Sequence, residues 1–301
     1  MRKSQSLILG AVALALPVVG SAITVRDNVT EAQSIAFASQ SQFASVGEIN
    51  GASGVLISDQ WVLTAWHVVV GAAGNPSSLN FRVGGTDYQA SEVRLLADAA
   101  ANFNDVLVDG RDLALVRLTN AVVGVNPAQL YTGSSEIGNT ASIIGFGNFG
   151  TGSGGSIGGS GGVKRGMRNS LDLYTVNLGG GNIDGSTTRT GSILSDFDNN
   201  TSGANQTGTP NWLDLEGNLA GGDSGGAMFI ESNGQYQLAG INSFVAGPNG
   251  VPLAGYSYLS GYTSVSWNQQ WIASTTAVPE PGTMLVLAGL GAVAARRRLK
   301  K

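Results

Sequence analysis

Apolar residues in the central part of the chain come in short runs. Val55-Leu56-Ile57, Trp61 to Ala65, Leu113 to Leu118, Ala141 to Ile144 and Gln237 to Ile241 are each bounded by Gly, Asn, Asp or Ser. Runs of this length between turn-forming residues predict β-strands. No long helical periodicity interrupts them, so the pattern predicts an all-β fold. Only Trp267 to Ile272, apolar at positions 267, 271 and 272, predicts a short C-terminal helix. Residues 145–162 hold 10 glycines in 18 positions and read as a flexible surface loop. They are not a phosphate cradle, because no Gly-Lys-Ser/Thr follows.

The two ends break this pattern. Arg2 and Lys3 precede an apolar stretch from Leu7 to Val19 and a small-residue site, Gly20-Ser21-Ala22. That layout predicts a signal peptide over residues 1–22, with a buried N-terminal helix as the alternative. At the other end, Val278-Pro279-Glu280-Pro281-Gly282 leads into 12 residues of apolar character, Met284 to Ala295, and then into Arg296-Arg297-Arg298-Leu299-Lys300-Lys301. Residues 279–301 resemble a PEP-CTERM sorting tail. The resemblance implies export by a Gram-negative bacterium, with signal peptidase and an exosortase-type transpeptidase as processing partners. It also implies residence in the cell envelope, on the outer surface or in the extracellular matrix. As a helix the 12 residues reach about 18 Å against a hydrocarbon core of ~30 Å, so contact with the membrane would be transient. An ordinary tail anchor is the alternative reading.

Without both ends, residues 23–278 form a span of 256 residues, suited to one catalytic unit. That span keeps 9 basic and 19 acidic residues, a net charge of −10 against −4 for the whole chain. Such a surface repels phosphate backbones and argues against nucleic-acid partners. There is no cysteine, so the core carries the stability alone. Asp196, Asp198 and Asn200 alternate like the start of a calcium loop, but Thr201 and Thr207 stand at its sixth and twelfth positions. A surface turn is the expectation there, with a calcium site as the alternative. No cofactor or metal is required.

Candidate chemistry sits in three segments. The only histidine, His67, lies in Val62-Leu63-Thr64-Ala65-Trp66-His67; Asp112 lies in Arg111-Asp112-Leu113-Ala114-Leu115; Ser224 lies in Gly221-Gly222-Asp223-Ser224-Gly225-Gly226. A serine hydroxyl needs a base to take its proton as it attacks a carbonyl, and a histidine needs a carboxylate to fix its tautomer. The order His, Asp, Ser is that of the chymotrypsin arrangement. Each segment has a structural alternative: a core histidine, a surface pairing of Asp112 with Arg111 or Arg117, and a plain glycine turn.

Together these segments resemble the trypsin/chymotrypsin family: VLTAWH against the usual VLTAAH, DLALVRL against the aspartate-bearing strand, and GGDSGG against GDSGG. Weaker echoes lie in Ile144 to Gly147, Ala239 to Phe244, Tyr262 to Val265 and Trp271-Ile272. Trp66 replaces a small residue, Ala227 replaces a proline, and the family's disulfides are absent. The resemblance implies two antiparallel β-barrels with the catalytic residues between them. It implies a serine endopeptidase acting on protein or peptide substrates through an acyl-enzyme. His67 would be the base, Asp112 its orienting carboxylate and Ser224 the nucleophile, with the N–H groups of Gly222 and Ser224 as the oxyanion hole. It also implies a primary pocket with Asn218 at its base, lined by Leu219, Ser243, Val245 and Ser260. That pocket is narrow and uncharged, suited to small or medium apolar side chains. Cleavage after Ala22 would expose Ile23, 44 residues before His67, and in the family such an ammonium pairs with the aspartate beside the nucleophile, here Asp223. The β-branched run Ile23-Thr24-Val25 reads equally as a strand. Two further readings stay open: a catalytically silent surface-displayed binding or adhesion protein on the same fold, and an esterase.

Overall fold

The computed structural model describes residues 23–277, apart from residues 134, 180, 181, 202, 209 and 249. The expected signal peptide and sorting tail lie outside the described residues. Six strands close the first barrel: β1 (Val46–Ile49), β2 (Ala52–Leu56), β3 (Trp61–Thr64), β4 (Asn80–Val83), β5 (Thr86–Leu95) and β6 (Ala114–Leu118). Their order is β1-β2-β3-β6-β5-β4, and Glu48 opposite Arg82 joins β4 back to β1. Closure leaves no open edge. Alternation shows best in β4, where Phe81 and Val83 are buried and Asn80 and Arg82 exposed.

The second sheet runs through β7 (Thr140–Gly145), β8 (Arg165–Ser170), β9 (Leu173–Gly179), β10 (Asn182–Ser186), β11 (Ser192–Asp196), β12 (Ala227–Ser232), β13 (Gln235–Ala246) and β14 (Leu259–Ser264). The spatial order is β8-β7-β12-β13-β14-β11-β9-β10, with Gln129–Leu130 added beside β13. The sheet curls back on itself, for Asn169 Nδ2 on β8 donates to the Asp196 carbonyl on β11 at 2.6 Å. β8 and β11 thus come together in a second, barrel-like unit around Ile143, Met167, Ile193, Met228, Ile230 and Tyr262. The all-β, two-barrel expectation holds. Each expected apolar run lies on or beside a strand.

Three local readings change. The glycine-rich stretch is pinned: Gly150–Thr151 and Gly155–Ser156 pair with each other, and the former also pairs with Thr24–Val25. Short helices occur at α1 (Glu31–Ala38), α2 (Trp66–Val69) and α3 (Phe103–Val108). α1 starts from a capping box, with Thr30 Oγ1 accepting from Gln33 N and Gln33 Oε1 accepting from Thr30 N. A C-terminal helix, α4, covers Gln269–Thr276, two residues later than the sequence suggests at its start. Its residues from Gln270 on belong to a separate unit.

The third change is at Asp196 and Asp198, which are buried rather than on a surface turn, as is Glu216. Asp196 Oδ2 accepts from Thr207 N at 2.8 Å, and Glu216 Oε1 accepts from Asp198 N at 2.9 Å. Among the described residues no group of three or more His, Cys, Asp or Glu is arranged to hold a metal. Burial, reinforced by the neighbouring carboxylates, pushes Asp172 and Glu216 up to about 7 and Asp198 up to about 8, and burial raises Asp196 as well. The fold therefore retains protons that the unfolded chain releases near pH 4. The stability they contribute is complete below about pH 4 and is lost as pH rises through about 7 to 8. Thermal unfolding should show a midpoint that falls between about pH 5 and about pH 8, with Asp198→Asn flattening the fall. A midpoint constant over that range would contradict the assignment.

Candidate active site

β3 and β6 are neighbours, with Leu63 opposite Leu115 and Thr64 opposite Ala114. His67 follows β3 and Asp112 precedes β6, so both emerge at the same end of the first barrel. The 45 residues between them are the length of the excursion through β4, β5 and α3. Asp112 is fully buried. Its Oδ2 lies 2.8 Å from His67 Nδ1 and accepts from Ser243 Oγ at 2.5 Å, while Oδ1 accepts from the His67 backbone N–H at 3.0 Å. A carboxylate only accepts, so Nδ1 carries the proton and Nε2 offers its lone pair. The His67 side chain is 18% exposed, within reach of a ligand. Asp112 is not a surface partner of Arg111, whose guanidinium goes to Asp109 instead.

The Ser224 loop lies against the segment that carries His67. The Ser224 carbonyl accepts from Ser53 N at 2.9 Å, and the Gly222 carbonyl accepts from Ser53 Oγ at 3.1 Å. Gly225, at φ +82°, makes the closest approach: a Cβ there would stand 2.1 Å from Ser53 O, 2.2 Å from Thr64 Oγ1 and 3.1 Å from Ala65 N. Only glycine meets both demands, the left-handed backbone and the missing side chain. Asn242, beside a register shift in β13, holds the loop from the second barrel: its carbonyl accepts from Gly225 N at 2.8 Å and its N–H donates to Gly226 O at 2.9 Å. Among the described residues, the N–H groups of Gly222 and Ser224 donate to no protein acceptor, and Ser224 Oγ makes no hydrogen bond.

Trp66 is buried against the segment ahead of Asp112. It packs with Ala97 and Val106, and its Nε1 donates to Ala97 O at 3.2 Å. Phe103, an exposed residue at the start of α3, stands edge-on to the imidazole with ring centroids 5.9 Å apart. No motif in the sequence signals that aromatic wall.

The pocket residues divide. Asn218 is buried, its Oδ1 accepting from Ser260 Oγ at 2.5 Å and its Nδ2 donating to Leu219 O at 3.0 Å. Leu219 N donates to Ser260 Oγ at 2.9 Å, and Val245 pairs with Ser260 across β13 and β14. Ser243 belongs behind Asp112, where its hydroxyl is committed. Ile23 is fully buried in the core of the second barrel and leads into the Thr24–Val25 strand, where Thr24 lies opposite Asn218. In this chain its nitrogen is a peptide N–H following Ala22. Asp223, also fully buried, accepts from Ala220 N at 3.0 Å and Gly147 N at 3.1 Å. Burial pushes Asp223 up to about 8, against the pull of those two donors and of Arg165.

Comparison with known proteins places this geometry. The family model described as trypsin-like peptidase domain matches residues 52–241, more than half of the chain. A second model, PEP-CTERM protein-sorting motif, matches residues 277–300 and indicates export and sorting in a Gram-negative envelope. Among solved structures, mouse neuropsin, described as a serine protease expressed in the limbic system of mouse brain, superposes with a TM-score of 0.53 at 19% identity, covering 84% of this chain and 99% of its own. That likeness speaks for the shared fold. A search of curated proteins finds no match. The protein belongs to the trypsin-like peptidase family and is a serine endopeptidase.

Proposed function

We propose that the protein is an exported endopeptidase in which Ser224, His67 and Asp112 form the catalytic triad. The observation that carries this reading is the His67–Asp112 pair at 2.8 Å, with the Ser224 loop seated on the strand that leads to His67. Ser224 Oγ attacks the scissile carbonyl carbon while its proton passes to His67 Nε2. The carbonyl oxygen becomes an oxyanion facing the N–H groups of Gly222 and Ser224, which have no other acceptor to leave. The tetrahedral adduct collapses, the C–N bond breaks, and the amine departs with the proton from His67. Water then attacks the Ser224 ester, His67 takes its proton, and release of the acid restores the hydroxyl. Asp112 stays ionised throughout and stabilises the imidazolium.

Substrate choice rests on Asn218, whose carboxamide is satisfied by Ser260 and Leu219 and carries no charge for lysine or arginine. With Val245 beside it, the site suits small or medium apolar side chains. Residues 1–22 act as the signal peptide, 23–278 as the catalytic domain and 279–301 as the sorting tail. The mature enzyme resides on the outer surface or in the extracellular matrix, where it meets protein substrates.

Ser224→Ala should abolish peptide hydrolysis and fluorophosphonate labelling. Asp112→Asn should lower kcat by roughly 10⁴-fold, and the double variant should be scarcely slower than Ser224→Ala alone, because triad members act as one unit. Labelling that persists in Ser224→Ala would sink the mechanism.

A peptide library should return alanine, valine and other small or medium apolar residues on the acyl side of the cleaved bond. A profile dominated by arginine and lysine would overturn the pocket assignment.

A chain truncated after Val278 should remain folded, soluble and active but lose envelope retention. Aggregation or inactivity of that chain would place residues 279–301 in the fold instead.

A further inference from the structure

We propose that Arg165, clamped by Glu31, holds the oxyanion loop in its working shape from inside the protein, so that order around Ser224 needs no free N-terminus. The inference rests on the catalytic reading above. Arg165 is 2% exposed and heads the fully buried side chains in size. Its Nη1 donates to Gly147 O at 3.0 Å and to Val163 O at 3.2 Å, and its Nη2 donates to Ser160 O at 3.0 Å. Nε donates to Glu31 Oε1 at 2.9 Å, and Nη2 pairs with the same oxygen. Every arm of the guanidinium is therefore used, and its planar fork fixes the directions of those bonds.

What Arg165 grips is the peptide stretch that reaches both ends of the oxyanion loop. The Gly147 N–H donates to Asp223 Oδ1 at 3.1 Å, beside Ser224. The Phe146 N–H donates to Ser53 Oγ at 3.0 Å, and that hydroxyl donates onward to the Gly222 carbonyl at 3.1 Å. Turning the Gly222 peptide is what aims the neighbouring N–H groups, so a shift of the 146–147 backbone is felt at both candidate oxyanion donors. The fit leaves no slack: a Cβ on Gly145 would stand 2.2 Å from Asp223 Oδ1. Glu31 completes the clamp from the first turn of α1, on a side chain 44% exposed. The position that an N-terminal ammonium would take beside Asp223 is thus served through one residue, Gly147, by an internal cation, while Ile23 is spent in the core.

Arg165 and Glu31 touch neither substrate nor reacting atoms; they are positioning residues. The test compares the full chain starting at Met1 with a chain starting at Ile23, both keeping the tail, alongside Arg165→Met, Arg165→Lys and Glu31→Gln. The two N-terminal forms should have the same kcat. Arg165→Met should lose roughly 10²-fold in kcat, the scale of a misaligned site, with KM little changed and a lowered thermal midpoint, since it leaves buried carbonyls without their donor. Arg165→Lys should restore part of that loss. If Arg165→Met fails to fold, Glu31→Gln decides, with kcat lowered by roughly tenfold at unchanged KM and midpoint, the scale of one charged hydrogen bond. A full chain silent until residues 1–22 are removed, or variants at wild-type kcat, would overturn the proposal. Absence of fluorophosphonate labelling in both wild-type forms would instead overturn the catalytic reading.

Discussion

A carboxylate taken fully out of water is costly unless hydrogen bonds meet its oxygens, and Asp112 is such a group placed where the two barrels join. His67 reaches it from the first barrel with both a side-chain and a backbone donor; Ser243 reaches it from the second. The Thr263 hydroxyl on β14 adds a bond to the Asp112 carbonyl at 3.2 Å. Moving one barrel relative to the other would strip donors from a buried charge, so the bonds that fix the tautomer of His67 also fix the register between barrels. Stability and the geometry of the His67–Asp112 pair depend here on the same few atoms.

That coupling matters more because no covalent crosslink assists. In place of cysteines, the second barrel uses polar groups buried with their partners. Glu136 is fully buried and accepts from Tyr174 Oη at 2.9 Å and Ser264 Oγ at 2.7 Å, and Ser266 and Arg189 also face it. Burial pushes its carboxyl upward, but these donors outweigh burial and hold it below the ordinary glutamate range. Asn242 is used on one side only: its Nδ2 donates to Ile144 O and Asp223 O, both at 3.2 Å, while its Oδ1 is buried without a partner. A carboxylate met by donors on both oxygens, as Glu136 is, specifies one packing arrangement rather than merely adding to hydrophobic burial.

The strands and the pairing of His67 with Asp112 were legible because their signals are local: an apolar run between turn residues, or a titratable residue in a distinctive setting. α1 was also legible in principle through Thr30 and Gln33, but an eight-residue helix is too short to display a clear apolar stripe. The contact of Ser243 with Asp112 was not legible, because neighbouring residues of one strand serve the candidate pocket and the back of Asp112, and which faces Asp112 depends on the register shift near Asn242. Asp196 and Asp198 misled for a different reason. Spacing describes ligands along a loop, whereas their burial comes from packing against Glu216 and Thr207, residues brought there by the fold.

The glycine-rich stretch joins these cases. Composition alone reads 145–162 as slack chain, since glycine removes the steric limits that stiffen a backbone. Yet a segment without side chains is also what allows other backbones, and buried side chains, to come within bonding distance. At Gly145 and Gly225 any side chain would collide with Asp223 or with the strand before His67. Once those close approaches are made, the freed N–H and C=O groups are taken by Ser53, Asp223 and Arg165, and the slack is gone. Flexibility in the sequence and rigidity in the fold thus have one source: glycine permits the approach, and hydrogen bonds to buried polar groups make it permanent.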